Sequence, residues 1–349
     1  MKGAVWGVLL LAAALALGWH LSGQGGWPLE GRKTAESVSS EAASAFPVTI
    51  ENWNSEKQKE SQTFTKPPER VIAVWQGPIE TLIALGQQDK IVAALGVPDE
   101  KYIKEEYRAA YKAVPYKAFD RMSEETALAM HPDFIVTSWS SAFSSKGMGT
   151  TDFWHQRHVH TYIGEMPRSV THRTVDQEYQ FIRDMGRIFG VSSRAEELVS
   201  SIQKEVDFVT EKVPKEESGP TVMVLQFMGS QITSWGDQYL QGDIVKRLHG
   251  RLLMKATGTI SAEDVIEQNP DVIFLMVNEW DYDHMEKTKA RLTENPAFHN
   301  LKSVREGRVY LLPLYAGQYS AVRTGEGIRI MARGMYPQFY EDDGKKSAE

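Results

Sequence analysis

Aromatic side chains stand where the strand-like runs of this sequence end. Trp75 follows RVIAV, Trp139 follows FIVTS, Trp280 follows VIFLMVNE, and Tyr315 and Tyr319 follow VYLLP. Phe119 precedes a helix-like segment and Trp235 lies in a Gly-rich stretch read as a loop, with Gln76, Asn278, Glu279 and Gln318 among the rings. Rings with a few amide and acid groups suit a bulky ligand that has apolar faces and polar handles, although any one ring can simply cover core. Arg323, in YSAVRTGEG, could grip an anionic chelate or a carboxylate through a bidentate contact, or pair with Glu326. Arg121 is a second candidate for that task.

Two glutamates suggest a different, electrostatic role. SEETALAMHPDFIVTSW (Ser123 to Trp139) and SAEDVIEQNPDVIFLMVN (Ser261 to Asn278) share one plan: a Ser cap, acids in the first turn, a short helix, Pro-Asp and a strand. Glu125 and Glu263 precede their prolines by the same seven residues. Each can stabilise its own helix N-terminus. As a matched pair they also form two negative knobs suited to two basic pockets on a partner.

The histidines His155, His158 and His160 form the one cluster with metal-ligand potential, the last two placed to share a strand face. Further ligands and any HExxH spacing are missing, so no metal site is expected. No P-loop, GxSxG elbow or GxGxxG after a strand occurs. Glu279 or Asp281 acting as a general base, in an anchored sensor or an enzyme, lacks partner groups at useful spacing. No catalytic residue and no cofactor are expected.

The elements that must position these residues alternate. Strands are expected at Arg70–Trp75, Lys90–Leu95, Phe134–Ser138, Val159–Ile163, Thr221–Phe227, the run before Asn278, and Val309–Leu312, with Tyr116–Phe119 left unassigned. Helices are expected between them, and Ser140–Thr151 reads as a loop. FPVTIENW, from Phe46, reads as one arm of an edge hairpin. The stretch Ser192 to Val213 reads as one long helix, with apolar residues at Ala195, Leu198, Val199, Ile202, Val206, Phe208 and Val209 and a stop at Pro214. The fold class is α/β: two Rossmann-like lobes with mainly parallel sheets, residues 46–191 and 214–340, joined by the helix 192–213, with a ligand cleft between them.

At 349 residues and 42% apolar composition the chain can bury a large core, and its net charge of -7 argues against nucleic acid as a partner. It has no cysteine, which removes disulfides, thiolate metal sites and a thiol for lipid attachment. Residues 1–18 read as a secretory signal or an uncleaved anchor, 19–45 as a flexible spacer and 341–349 as a polar tail. The body is expected outside the cytoplasmic membrane, in a periplasm or held to the membrane by its N-terminus.

The motifs PERVIAVW with ETLIALG and KIVAALG, then ETALAMHPDFIV, the long helix, SAEDVIEQNPDVIFL and NPAFHNLKSVREGRVYLLP stand in an order that resembles one family. That family is the substrate-binding proteins of iron-siderophore, haem and cobalamin ABC importers, the type with a single rigid interdomain helix. The likeness runs from about Phe46 to Tyr340. It implies a monomeric receptor that delivers a small-molecule iron chelate to a permease dimer. It implies that Glu125 and Glu263 are docking glutamates meeting permease arginines. It also implies that Trp75, Phe119, Trp139, Trp235, Trp280, Tyr315, Tyr319 and Arg323 are at or near the ligand. Phe119 fills a slot held by arginine or an aromatic residue in relatives. Thr257, in the matching slot of the second lobe, weighs against cobalamin. A ferric-siderophore-type chelate is the expected ligand, with haem or cobalamin as alternatives; Tyr315 or Tyr319 could ligate haem iron.

Overall fold

The computed structural model describes residues 46–165, 172–211 and 219–340. The expected signal or anchor, the spacer, the Pro214 stop and the polar tail lie outside the described residues. The first lobe opens with an antiparallel hairpin, β1 (Val48–Trp53) and β2 (Lys59–Phe64), as FPVTIENW suggested. Its sheet contains β3 (Val71–Val74), β4 (Ile91–Leu95), β5 (Tyr116–Ala118), β6 (Phe134–Thr137) and β7 (His160–Ile163). These run in the order β5-β4-β3-β6-β7, all parallel. Every residue of β3 and β6 is buried, which is why these segments read as unbroken β-branched and aromatic runs rather than alternations.

The second lobe holds β8 (Thr221–Met228), β9 (Gln231–Ser234), β10 (Arg251–Leu252), β11 (Gly258–Ile260), β12 (Val272–Val277) and β13 (Val309–Pro313). The path β11-β9-β8-β12-β13 forms a separate sheet, with β10 also pairing β8. Here the expectation needs a correction. The segment read as a Gly-containing loop folds back as β9, antiparallel to β8, and β11 pairs antiparallel with β9. Gly229, at φ 61, supplies the left-handed backbone that so short a hairpin turn requires. A five-residue helix, Thr151–His155, also follows the Ser-rich loop, its N-terminus capped by the Thr150 side chain.

The linking helix spans Ser192–Thr210. Ala195, Val199 and Ile202 lie at helical spacing and are buried, whereas Phe208 is exposed beside Tyr340. The helix is tied to the first lobe by Arg194 to the Ala84 carbonyl and by Glu196 to Arg183, and to the second by Glu205 to Arg329. A single continuous core joins the lobes beneath it, from Val71 and Ile182 through Val199 and Ile202 to Ile328 and Met331. Fully burying one such side chain stabilises by about 1.5–3 kcal/mol, so the seam is held mainly by apolar packing.

The helix approaches its predecessor, Val175–Ile188, closely at Gly186, where a Cβ would lie 2.4 Å from that of Ala195. Ala195→Leu therefore has no room. It should destabilise the protein by about 1–3 kcal/mol, the usual cost of overpacking, as read from the urea midpoint.

Candidate functional site

The first sheet reverses its strand order at β3, so the crevice beyond the carboxyl ends of β3, β4 and β6 is the expected ligand position. Trp75 and Gln76 follow β3, Gly96 follows β4, and Ser138 and Trp139 follow β6. All five line a cavity of about 30 Å³ between the lobes. The other wall comes from Glu279 and Tyr282 after β12, and from Leu314, Tyr315, Gln318 and Tyr319 after β13. Trp75 adopts φ 75, a conformation unusual for a bulky residue, and swings its indole over Gly96. Gly96 is itself at φ 84, and a Cβ there would sit 2.5 Å from the Trp75 ring. Gly77 meets the Tyr319 carbonyl so closely that a Cβ would lie 2.3 Å from it. Tyr319 and Ala321 also have positive φ, so both walls carry backbone that only firm surroundings maintain.

The expected rings meet one another across the cleft. Trp139 packs edge-on against Tyr319 at 4.3 Å between centroids, and Phe119 against Trp280 at 5.7 Å. Trp280 is 65% exposed despite that contact. Tyr102 packs on Tyr282 at 4.9 Å, and Lys101 and Tyr102 both reach Asp283 at the rim, at 2.5 and 2.6 Å. Tyr315 takes its position from the Tyr282 hydroxyl, which accepts its backbone N–H. Burial pushes the Tyr315 phenol up to about 12, and that of Tyr319 well above its usual range. Both phenols are therefore neutral donors near neutrality.

Arg323 needs reassignment. It is 5% exposed, does not line the cavity, and is engaged by two carboxylates. One Nη lies 3.0 Å from Glu80 Oε1, its Nε lies 2.7 Å from Glu326, and its guanidinium covers the Tyr315 ring. Glu80 is wholly buried and also accepts from the Lys104 N–H and from Gln76. The expected grip on an anion is thus taken up by a bond between the lobes. Arg173 is held in the same way. Glu178 accepts its Nε at 2.9 Å and the Ala321 N–H at 2.8 Å, and the guanidinium covers the Tyr319 ring. Sequence reasoning missed Glu80, Glu178 and Tyr282. A lone acid inside the apolar run GPIETLIALG was the available signal for Glu80, because a charge there demands a buried partner.

Trp235 also departs from expectation. It does not line this cavity; its indole donates to Gln226 at 3.1 Å and its ring packs on Tyr239. Thr257 accepts the Gly236 N–H in the same corner. Glu125 and Glu263 are exposed on their helices, Glu124–Ala129 and Ala262–Gln268, each capped by its Ser as expected. The histidines do not converge. His158 sits in a turn at φ 60 before β7, His155 contacts Thr161, and His160 packs on Phe64. Among the described residues no group of three or more His, Asp or Glu side chains could hold a metal ion.

Residues 71–316 match the family described as "Periplasmic binding protein". The crystal structure of a periplasmic binding protein from Veillonella parvula is 37% identical, with a TM-score of 0.79, over 85% of this chain and 94% of that one. An uncharacterized ABC transporter substrate-binding lipoprotein of Bacillus subtilis is 22% identical over 98% of this chain and 99% of its own length. The structure of an ABC-type Fe3+-hydroxamate transport system protein from Saccharomonospora viridis, 23% identical, shares the fold. Its TM-score is 0.68, over 83% of this chain and 99% of that one.

Glu80 gives the seam a pH dependence. Burial, opposed mainly by Arg323, pushes its carboxyl from 4.5 up to about 7. The folded protein then holds this proton more tightly than the unfolded chain does. The associated stability is complete below pH 4.5 and lost as pH rises through about 7. Urea denaturation from pH 4.5 to 8 should show the wild type losing stability relative to Glu80→Gln; parallel curves would count against it.

Proposed function

The chain belongs to the periplasmic binding protein family and is an ABC transporter substrate-binding protein, not an enzyme, and from that premise we propose that it captures a ferric-siderophore-type chelate between its lobes. The observation that carries this reading is the meeting of rings from both lobes at the strand ends: Trp139 with Tyr319, and Phe119 with Trp280. Ring faces held apart by a chelate can cover it from two sides. The cavity of about 30 Å³ is far below the ~300–1,000 Å³ of small-molecule sites, so binding requires the ring contacts and the Asp283 rim bonds to part. The buried seam and linking helix keep that movement a small hinge angle. A protein of the same fold belongs to an Fe3+-hydroxamate transport system, which supports iron chelates as the ligand class.

Haem is less well supported. A tyrosinate ligand would have to form from Tyr315 or Tyr319, and burial disfavours the phenolate at both. Delivery is to a permease dimer, with Glu125 and Glu263 as the two exposed acids that dock on basic pockets. The site of action is outside the cytoplasmic membrane, as a monomer. No helix of the described residues is long and apolar enough to cross a membrane, and residues 1–18, the signal or anchor, lie outside them.

Two experiments test this. In a tryptophan-fluorescence titration, ferric chelates should quench the wild-type protein, and Trp139→Ala should bind about tenfold more weakly, near the 1.4 kcal/mol expected of a lost ring contact. A Soret band with haemin and no response to ferric chelates would transfer the assignment to haem. Charge reversal of both Glu125 and Glu263 should leave the dissociation constant unchanged while abolishing uptake and stimulation of the transporter ATPase. Uptake at the wild-type rate would remove the docking role.

A further inference from the structure

The cavity between the lobes contains polar atoms that the protein leaves without partners. Gln318 is 3% exposed, and neither its amide nitrogen nor its amide oxygen meets a partner. Glu279 is 8% exposed, and its Oε2 is likewise unpartnered, as is the indole N–H of Trp75. All three residues line the same cavity. Buried polar atoms are nearly always paired, so three such side chains in one cleft mark a site whose hydrogen bonds are completed by something else. Glu279 and Gln318 sit on the second-lobe wall and Trp75 on the first, so one bound molecule could engage both walls.

The charge around them narrows what that molecule can be. Glu279 is the acid of the lining, and burial raises its carboxyl without any cation among the causes. The nearest buried guanidinium groups already have carboxylates against them: Arg323 has Glu80 and Glu326 at 3.0 and 2.7 Å, although its Nε–H makes no hydrogen bond, and Arg173 has Glu178. Two cations thus face these three acids and Glu279, and the phenols of Tyr315 and Tyr319 are neutral. An anion entering here would meet no free positive charge and one buried acid.

We propose that the cleft selects neutral or cationic ligands and disfavours anionic ones. Glu279 accepts a hydrogen bond from a hydroxyl, amide or ammonium group of the ligand, and Gln318 completes a donor–acceptor pair with it. This rests on the reading of the cleft as a chelate site, and it makes Glu279 and Gln318 specificity-determining residues. A second cavity in the same lobe, of about 230 Å³, is lined by Lys287, Arg291 and His284 with one acid, Asp281, and offers the competing destination for an anionic arm.

The test uses three probes of different charge: ferrichrome (neutral), ferrioxamine B (cationic through its ammonium tail) and ferric enterobactin (anionic), each titrated by fluorescence quenching. Ferrichrome and ferrioxamine B should bind at least tenfold more tightly than ferric enterobactin. Glu279→Gln, nearly isosteric, should weaken ferrioxamine B about tenfold to a hundredfold, the range for a lost hydrogen bond to a charged group, and narrow the discrimination against the anion. Gln318→Leu should weaken ferrichrome in a protein whose melting temperature shows it folded. Equal affinity for the anionic and neutral probes would overturn the proposal. So would unchanged affinities in Glu279→Gln, or weaker binding of ferric enterobactin in Lys287→Ala alone. Binding of none of the three would instead overturn the chelate reading itself.

Discussion

A buried positive charge needs a buried negative one, and that requirement shapes the centre of this molecule. Arg323 comes from the second lobe and Glu80 from the first, and neither keeps appreciable contact with water. Separating such a pair without supplying another partner is strongly unfavourable, of the order of 3–5 kcal/mol. The same arrangement recurs at Arg173 and Glu178, where the acid also takes the Ala321 N–H of the opposite lobe. These bonds, above a core that passes unbroken beneath both lobes, make the inner seam a fixed pivot. The outer contacts are of another kind. Lys101, Tyr102 and Asp283 form exposed bonds, and exposed ion pairs contribute little net stability because water competes for both charges. Separation of the lobes must therefore begin at the rim.

The neutral character of the cleft follows from that pivot. A guanidinium that holds the lobes together has little charge left for an anion, since the Glu80 and Glu326 carboxylates already lie against it. What remains toward the cavity is the face of Tyr315, which Arg323 covers from behind, and the amide and acid on the second-lobe wall. Backbone strain sits in the same place. Trp75, Tyr319 and Ala321 hold positive φ where the two lobes touch, and Gly77 and Gly96 make room for the resulting contacts. Residues in such conformations persist only when their surroundings over-determine them, and here those surroundings come from both lobes.

Much of the architecture was legible in the sequence because its strands are buried on both faces. VIAV, FIVT and VIFLMV have one physical interpretation, and the repeated Ser-cap, Pro-Asp plan located the equivalent helices of the two lobes. β9 and β11 were not legible. They are short and partly exposed, so no long apolar run announces them, and the Gly-Ser turn joining β8 to β9 looks like any loop. Of the rings singled out by type and position, Trp75, Trp139, Tyr315 and Tyr319 line the cavity; Phe119, Trp280 and Trp235 do not, and the Trp235 indole is held by Gln226 within its own lobe. The Arg323–Glu326 pairing was legible as the local alternative, whereas Glu80 was not, because it lies 243 residues away and periodicity carries no information about a pairing made only when the lobes meet.

The linking helix explains why such distant pairings can be specific. Nineteen residues of helix, packed on the helix before it and on the helix Thr324–Met335, fix the orientation of one lobe relative to the other. At Gly186 and Ala195 the approach leaves no space for a larger side chain, so sliding is resisted by close packing as well as by the Arg183–Glu196 and Glu205–Arg329 bonds. A loosely tethered pair of lobes would meet in many registers, and a buried Glu80 would usually find no guanidinium. With the orientation set, Glu80 and Arg323 are delivered to each other, and Trp139 and Phe119 face Tyr319 and Trp280. The helix thus acts on the cleft without touching it. It converts two independent α/β layers into one surface whose chemistry depends on residues from both.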